Sequence, residues 1–319
     1  MWRVILREAR DGHSALVTFA FACVICAAAT GGLLVVDPTV VNGAPAWHKP
    51  LKFFISAALY AFTFAWYLGA GLRRGERSRG QSRLAWGLGT GIWVALGIEL
   101  LLITVQAGRG VTSHFNLTTR FDAIVFNVMG MMILALTLLH VLLVIRLLRA
   151  RWSDRWLLSA CRWGAGIALV GLAVGALMVQ PSPEQLTQLR AGGAGIAGAH
   201  TVGAPDGGAG LPLVNWSTEA GDRRVAHFVG LHAMQVIPAV ALVAPAHWPA
   251  ARAIAAVRVT GLAYGALTVL LILQAQQARP LQRPGTTLGI ALLFIVCGWI
   301  AAMVTLGRLS MRGRQSSGS

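Results

Sequence analysis

The sequence predicts an all-α integral membrane protein, a helical bundle with about eight transmembrane helices in a single domain spanning residues 1–319. Three observations support this class. Hydrophobic residues make up 56% of the 319 residues and charged residues only 12%, whereas a soluble globular chain carries about 25% charged residues. The mean hydropathy is +0.65. Several apolar blocks reach the roughly 20 residues that one membrane crossing needs.

Eight such blocks follow one another along the chain. They predict spans over residues 15–36, 51–71, 84–106, 121–146, 156–180, 225–246, 253–276 and 287–307. The first follows three arginines, as in a signal peptide, but its apolar run is too long for a cleaved signal and predicts a retained helix. Three spans contain glycines four residues apart, a spacing that lets helix backbones approach closely: Gly87 with Gly91, Gly171 with Gly175, and Gly261 with Gly265.

The arginines predict the orientation of the bundle. They concentrate before the first span, between spans two and three, between spans four and five, and after the last span. Because Lys and Arg mark cytoplasmic loops, both termini are predicted to be cytoplasmic. The composition, rich in Ala, Arg and Gly, indicates a bacterial inner-membrane protein. The net charge of +16 is spread between apolar blocks, so the lipid bilayer rather than a nucleic acid is the predicted partner.

Two further features concern the organisation of the spans. The segments LLITVQAGR (101–109) and LLILQAQQAR (270–279) end spans three and seven, a weak similarity consistent with a parallel four-plus-four internal repeat. The long loop over 181–223 is Gly-rich and lies on the extracytoplasmic side. Its second half contains Leu211, Leu213, Val214 and Trp216, which predict that it folds back to cap the bundle.

Ionisable groups inside spans are costly and therefore indicate functional sites. At a rise of 1.5 Å per residue, Glu99 and His232 each lie roughly 10 Å below the outer interface. Asn127 lies at a similar depth and Gln235 slightly deeper. Glu99 and His232 are the predicted catalytic pair. His140, alone on an apolar helix, is predicted to be a packed residue.

A polar rim surrounds this pair at the outer interface. It comprises Lys49, Lys52, Gln106, Arg109, His114, Asn116, Arg120, Asp122, Arg224 and His227. All except Lys49 and His227 are predicted ligand-binding residues, together with Asn127 and Gln235. The surplus of Lys and Arg favours a small anionic or lipid-like ligand.

Three residues are candidate metal ligands: His227, His232 and Glu99. The two histidines are five residues apart and differ by about 140° in direction on an α-helix, so a shared metal needs ligands from another segment. Haem is the other cofactor that histidines at this depth indicate, with arginines pairing its propionates. The sequence leaves the choice between a metal ion and haem open.

These residues support three functional hypotheses. The leading one is a membrane-embedded enzyme that uses a metal or haem on an anionic or lipid-like ligand. The first alternative is a proton-coupled transporter or permease for a small anionic solute. The second alternative is a non-catalytic assembly or sensor protein.

Overall fold

The computed structural model describes residues 1–75, 79–193, 195–243 and 248–315, with the side chains of Arg79 and of residues 309–315 excepted. Within these ranges the helices are α1 Trp2–Val36, α2 His48–Arg74, α3 Arg79–Gly108, α4 Arg120–Arg149, α5 Arg155–Met178, α6 Pro183–Arg190, α7 Arg223–Val243, α8 Ala250–Gln276 and α9 Gly285–Gln315. Two short antiparallel hairpins pair β1 Val40–Val41 with β2 Ala44–Pro45, and β3 Thr201–Val202 with β4 Gly221–Asp222.

All of the helices in the described ranges except α6 are long and apolar enough to cross a membrane, eight in number. The prediction of an all-α, multi-pass helical bundle is therefore confirmed. Each of the eight corresponds to one predicted span. The fifth ends at Met178, two residues before the predicted end, and residues 244–246 of the sixth lie outside the described residues.

The first helix begins thirteen residues earlier than the predicted span, which started at residue 15. It contains an extended residue at His13 (φ −166°, ψ 95°), whose Nδ1 accepts a hydrogen bond from the backbone N–H of Leu16 at 3.0 Å. The His13 ring thus caps the second part of α1. The first part is held by Glu8, which is buried and pairs with Arg74 at 2.7 Å.

The bundle has two chemically different ends. At one end Arg73 pairs with Asp11 at 2.5 Å, and Arg74 pairs with both Glu8 and Asp154, the latter at 2.8 Å. These pairs bring together the start of α1, the end of α2 and the start of α5. We call this the basic end, since the arginine-rich connections lie there, and we call the opposite end, with both hairpins and α6, the cap end.

The spans fall into two halves that pack in the same order. In the first half α1 packs on α2 and α3, α2 packs on α3, and α3 packs on α4. In the second half α5 packs on α7 and α8, α7 packs on α8, and α8 packs on α9. The most extensive contact in each half joins its first two spans, and α4 with α5 and α2 with α7 connect the halves.

The corresponding third spans, α3 and α8, end in the same backbone geometry. The N–H of Val111 donates to the carbonyl of Gln106 at 3.1 Å, and the N–H of Arg279 donates to that of Gln274 at 3.2 Å. The residues before these donors, Gly110 (φ 68°) and Ala278 (φ 55°), are left-handed, as in a helix C-cap. Both glutamines are buried.

A close helix crossing holds the second half together. A Cβ added at Gly171 of α5 would lie 2.6 Å from the backbone N of Leu231 on α7, and one at Gly230 would lie 2.7 Å from the Cα of Gly171. The predicted close backbone approach is thus observed at Gly171. At Gly261 the neighbour is instead the ring of Trp163.

Candidate functional site

Glu99 lies on α3 near the cap end, with only 2% of its surface exposed. Neither carboxyl oxygen has a hydrogen-bond partner among the residues described. Such a group costs free energy, because it has lost water without gaining a donor. Its nearest ionisable neighbour is His114, whose Nε2 lies 3.3 Å from Oε1. This is within ion-pair distance, but the two groups are not aligned as a hydrogen bond.

His114 belongs to the α3–α4 connection, which turns back over the end of α3. Its Nδ1 lies 2.9 Å from the ammonium Nζ of Lys49 and 3.1 Å from Oγ of Ser113. An ammonium group can only donate, so Nδ1 is the acceptor and the ring proton is assigned to Nε2. The Nε2–H group therefore faces Glu99, and the three side chains form a line from ammonium to imidazole to carboxyl.

The position of His114 keeps its ring neutral. Burial is the largest cause that lowers the pKa of His114 well below its usual range, and the positive charges of Lys49, His200 and His227 lower it further. A neutral imidazole with one acceptor nitrogen and one N–H is the form that passes a proton between two groups.

A second histidine approaches from the long loop over 181–223. The Nδ1 of His200 lies 2.8 Å from Oδ2 of Asp206, and its ring packs against Phe115 with 4.9 Å between ring centroids. Burial lowers the pKa of His200, against the raising effect of Asp206. Burial would raise the pKa of Asp206, but hydrogen bonds from His200 and Thr201 bring it well below its usual range. The loop thus adds a histidine–carboxylate hydrogen bond beside His114.

Asp122 forms a separate and fully bonded cluster. Its Oδ1 accepts from Gln106 at 2.8 Å and from Arg109 at 2.5 Å, and its Oδ2 accepts from Thr119 at 2.6 Å. Arg109 also bonds Gln106 and covers the ring of Phe121. The structure brings these three predicted ligand-binding residues together, but they satisfy one another and cap the start of α4.

Two more of the predicted ligand-binding residues attach the loop to the helices. Lys52 donates to the carbonyl of Val214 at 2.9 Å. Arg224 forms a two-pronged ion pair with Asp222 and also donates to the carbonyl of Asn215 at 2.6 Å. These bonds hold the second half of the loop over the starts of α2 and α7.

His232, the predicted partner of Glu99, lies elsewhere. It is half-buried on α7 and packs against Phe228 with 4.2 Å between ring centroids. In the part of the chain described, it has no hydrogen bond or ion pair with Glu99. The helix contacts explain this: α3 packs on α1, α2 and α4, whereas α7 packs on α5, α8 and α2. Glu99 and His232 were predicted at the same depth, but the helices that carry them are not neighbours.

The remaining predicted residues are also separated. Asn127 is exposed and donates to the carbonyl of Ala123 on its own helix, so it does not take part in the cluster around Glu99. Arg120 is exposed too, and Asn116 bonds within its own loop. Gln235 donates to Thr63 at 3.1 Å, deeper in the bundle.

The candidate metal ligands do not converge. His227 binds the carbonyl of Gly171 through Nδ1 at 2.8 Å, while His232 and Glu99 lie as described above. Across the ranges that the structure covers, no group of three or more His, Cys, Asp or Glu side chains is placed to hold a metal ion. Metal or haem binding therefore stays a prediction from the sequence.

Sequence reasoning missed the contribution of the loop over 181–223. His200 and Asp206 were not predicted, and Lys49 was placed only at the rim. His200 did carry one signal, since it is the only ionisable residue between Arg190 and Asp206. No known protein-family profile, curated protein or solved structure matches this chain.

Proposed function

We propose that the protein is a proton-coupled transporter of a small anionic solute in the bacterial inner membrane, with both termini cytoplasmic and the cap end facing outward. One observation carries this proposal: Glu99 is buried, has no hydrogen-bond donor among the described residues, and lies 3.3 Å from His114. A bare carboxylate in such surroundings costs several kcal/mol, which a proton removes. Glu99 is thus a proton-binding site that His114 and Lys49 connect to the cap end.

Two lysines supply the positive charge for an anion. The ammonium groups of Lys49 and Lys52 bond a histidine ring and a backbone carbonyl, and within the described residues neither has a carboxylate at ion-pair distance. By contrast, Arg109 and Arg224 are neutralised by Asp122 and Asp222. A proton on Glu99 offsets the charge of an anion beside the lysines, so the two can load together without changing the net charge of the site, which favours their joint movement into the bilayer.

In the proposed transporter the two halves move against each other. Their matching packing order and the matching ends of α3 and α8 support the four-plus-four repeat, an architecture in which one repeat moves against the other. Hydrogen bonds cross the interface between the two halves at separate points. Tyr67 donates to the carbonyl of Met234 at 2.9 Å, and Gln235 donates to Thr63 at 3.1 Å. Hydrogen bonds of this kind can break and re-form with other partners, as an interface between two moving halves requires.

The test is uptake into proteoliposomes under a pH gradient with acid outside. Radiolabelled lactate, succinate and inorganic phosphate are the probes. We expect gradient-driven uptake of at least one probe, and a loss of at least about tenfold in Glu99→Gln, which cannot release a proton. Glu219→Gln, an exposed carboxyl in the cap-end loop, is the matched control. Equal gradient-driven uptake by Glu99→Gln, or no uptake of any probe by the wild type, would overturn the proposal.

The second candidate is the membrane-embedded enzyme that the sequence favoured. The specific observation in its favour is the Glu99–His114 pair, which has the composition of a general acid and base. Its cofactor version is tested on purified protein by the Soret band of haem and by elemental analysis for zinc, iron and copper. A stoichiometric cofactor lost together with activity in Glu99→Gln would favour the enzyme over the transporter.

A further inference from the structure

A groove on the outer face of α5 lies near the basic end, far from the Glu99 cluster. It borders an open space of about 280 Å³ lined by Ser159, Arg162, Trp163, Gly166 and Ile167. These positions recur at three- and four-residue steps, so they form one face of the helix. A Cβ built at Gly166 meets no atom within 4 Å. The groove is therefore open where a side chain would otherwise fill it.

The depth of the groove corresponds to the head-group region of one leaflet. Arg162 is seven residues from the first residue of α5, or roughly 10 Å along the helix. The neighbouring helix α8 runs parallel to α5, because Trp163 covers Gly261 and Ile167 lies beside Gly265 one turn later. Arg258 is exposed on α8, three residues before Gly261. Two arginines thus reach a similar depth on packed helices.

Arg162 has hydrogen-bond partners but, among the residues that the structure describes, no acidic partner at ion-pair distance. It donates to the carbonyls of Leu147, Leu148 and Ala150 at 2.8, 3.1 and 2.9 Å, and so caps the end of α4. These partners are neutral. The guanidinium group of Arg162 can therefore still pair with an anion.

The acidic residues described at the basic end already have arginine partners. In the ranges that the structure describes they are Glu8, Asp11 and Asp154, and Arg73 and Arg74 bind all three. No described carboxylate pairs with the arginines beside the groove. A lipid phosphate lies at this depth and can provide the negative charge.

We propose that this groove binds an anionic phospholipid of the leaflet at the basic end. The phosphate lies near Arg162 and Arg258, where a guanidinium group provides several donors for phosphate oxygens. An acyl chain follows the open face at Gly166. The indole of Trp163 lies at the boundary between head groups and chains, a position that tryptophan favours. Basic pockets between spans on the cytoplasmic side are known to recognise such lipids.

The experiment is native mass spectrometry of the full-length protein in detergent, titrated with phosphatidylglycerol or with phosphatidylcholine of the same chains. Gly166→Leu fills the groove, and Gly298→Leu on α9 is its matched control, since Gly298 also has no atom within 4 Å of a built Cβ. Arg258→Gln removes one charge, and Arg120→Gln, exposed at the cap end, is its control. Arg162 is left unchanged because it caps α4.

We expect the wild type to retain phosphatidylglycerol in preference to phosphatidylcholine. Gly166→Leu should reduce phosphatidylglycerol retention to the phosphatidylcholine level, and Arg258→Gln should weaken it about fivefold, as for one basic residue near a charged surface. Both controls should match the wild type. Equal retention of the two lipids, or equal effects of Gly166→Leu and Gly298→Leu, would overturn the proposal. This outcome is independent of transport, which the Glu99 variants test.

Discussion

Two buried carboxyl groups near the cap end should respond to neutral substitution in opposite directions. Glu99 and Asp122 are each 2% exposed. Asp122 accepts hydrogen bonds from Gln106, Arg109 and Thr119, whereas the oxygens of Glu99 have no partner within the described residues. We predict that Glu99→Met raises the free energy of unfolding, and that Asp122→Asn lowers it.

The magnitudes follow from what each substitution removes. A buried polar group without partners costs about 1–3 kcal/mol, and Met has a similar volume, so Glu99→Met should recover about 1–2 kcal/mol once the lost attraction of Lys49 is deducted. Asp122→Asn weakens several charge-assisted bonds, each contributing about 1.5–3 kcal/mol. Because the side chain of Arg109 is 37% exposed, solvent screens its contribution. We therefore expect a net loss of about 2 kcal/mol.

The assay is reversible denaturant unfolding of the full chain in mixed micelles. An equal slope of the transition in wild type and variants checks that unfolding stays two-state. Transport by Glu99→Met should be lost although its stability rises, the trade-off expected of a group kept for function. A destabilisation by Glu99→Met as large as that by Asp122→Asn would refute the reasoning, since it would show that Glu99 has stabilising contacts.

Three further predictions concern packing, pH and orientation. Gly171→Ala should destabilise the bundle by about 1–3 kcal/mol, because the added methyl group would meet the backbone of α7. The control Gly298→Ala should not destabilise it, since a Cβ there meets no atom within 4 Å. Thermal unfolding of the two variants compares them. The lowered pKa of His114 means that the unfolded state binds its proton first, so stability should fall by up to about 1.4 kcal/mol per pH unit below pH 6.5. Denaturant midpoints at pH 7.5 and 5.5 should therefore converge in His114→Gln. Leu213, which is 79% exposed, should react as Leu213→Cys with an impermeant maleimide added outside intact cells, and labelling only after lysis would reverse the orientation.

The spans were predictable because hydropathy over about 20 residues depends on composition alone. The beginning of α1 was not, since residues 2–12 are too polar for a hydropathy signal. They are helical because of long-range packing: Glu8 pairs with Arg74, and Gly12 lies against the backbone of Gly69. No local pattern contains that information.

The candidate site was predictable in part for a related reason. A carboxyl within an apolar span identifies Glu99 without any knowledge of its neighbours. Depth along a helix also follows from residue counting, but the partner of Glu99 depends on which helices pack together and which loop folds back. His232 has the predicted depth and lies on α7, outside the helices around α3. His114, predicted as a ligand-binding residue of the rim rather than as the partner of Glu99, lies beside Glu99.

The hydrogen bonds that each ring makes distinguish His140, a structural histidine, from His114, the functional candidate. Both ring nitrogens of His140 are bonded, one to Tyr60 at 2.7 Å and the other to the carbonyl of Ala165 at 2.9 Å. That ring is fixed between α2, α4 and α5, and moving a proton would break a bond. In His114 the Nδ1 faces two potential donors, while the Nε2–H group faces a carboxyl that it does not yet bond. A small shift of either side chain would complete a hydrogen bond and allow proton transfer, so an incompletely bonded site is the one suited to a transport cycle.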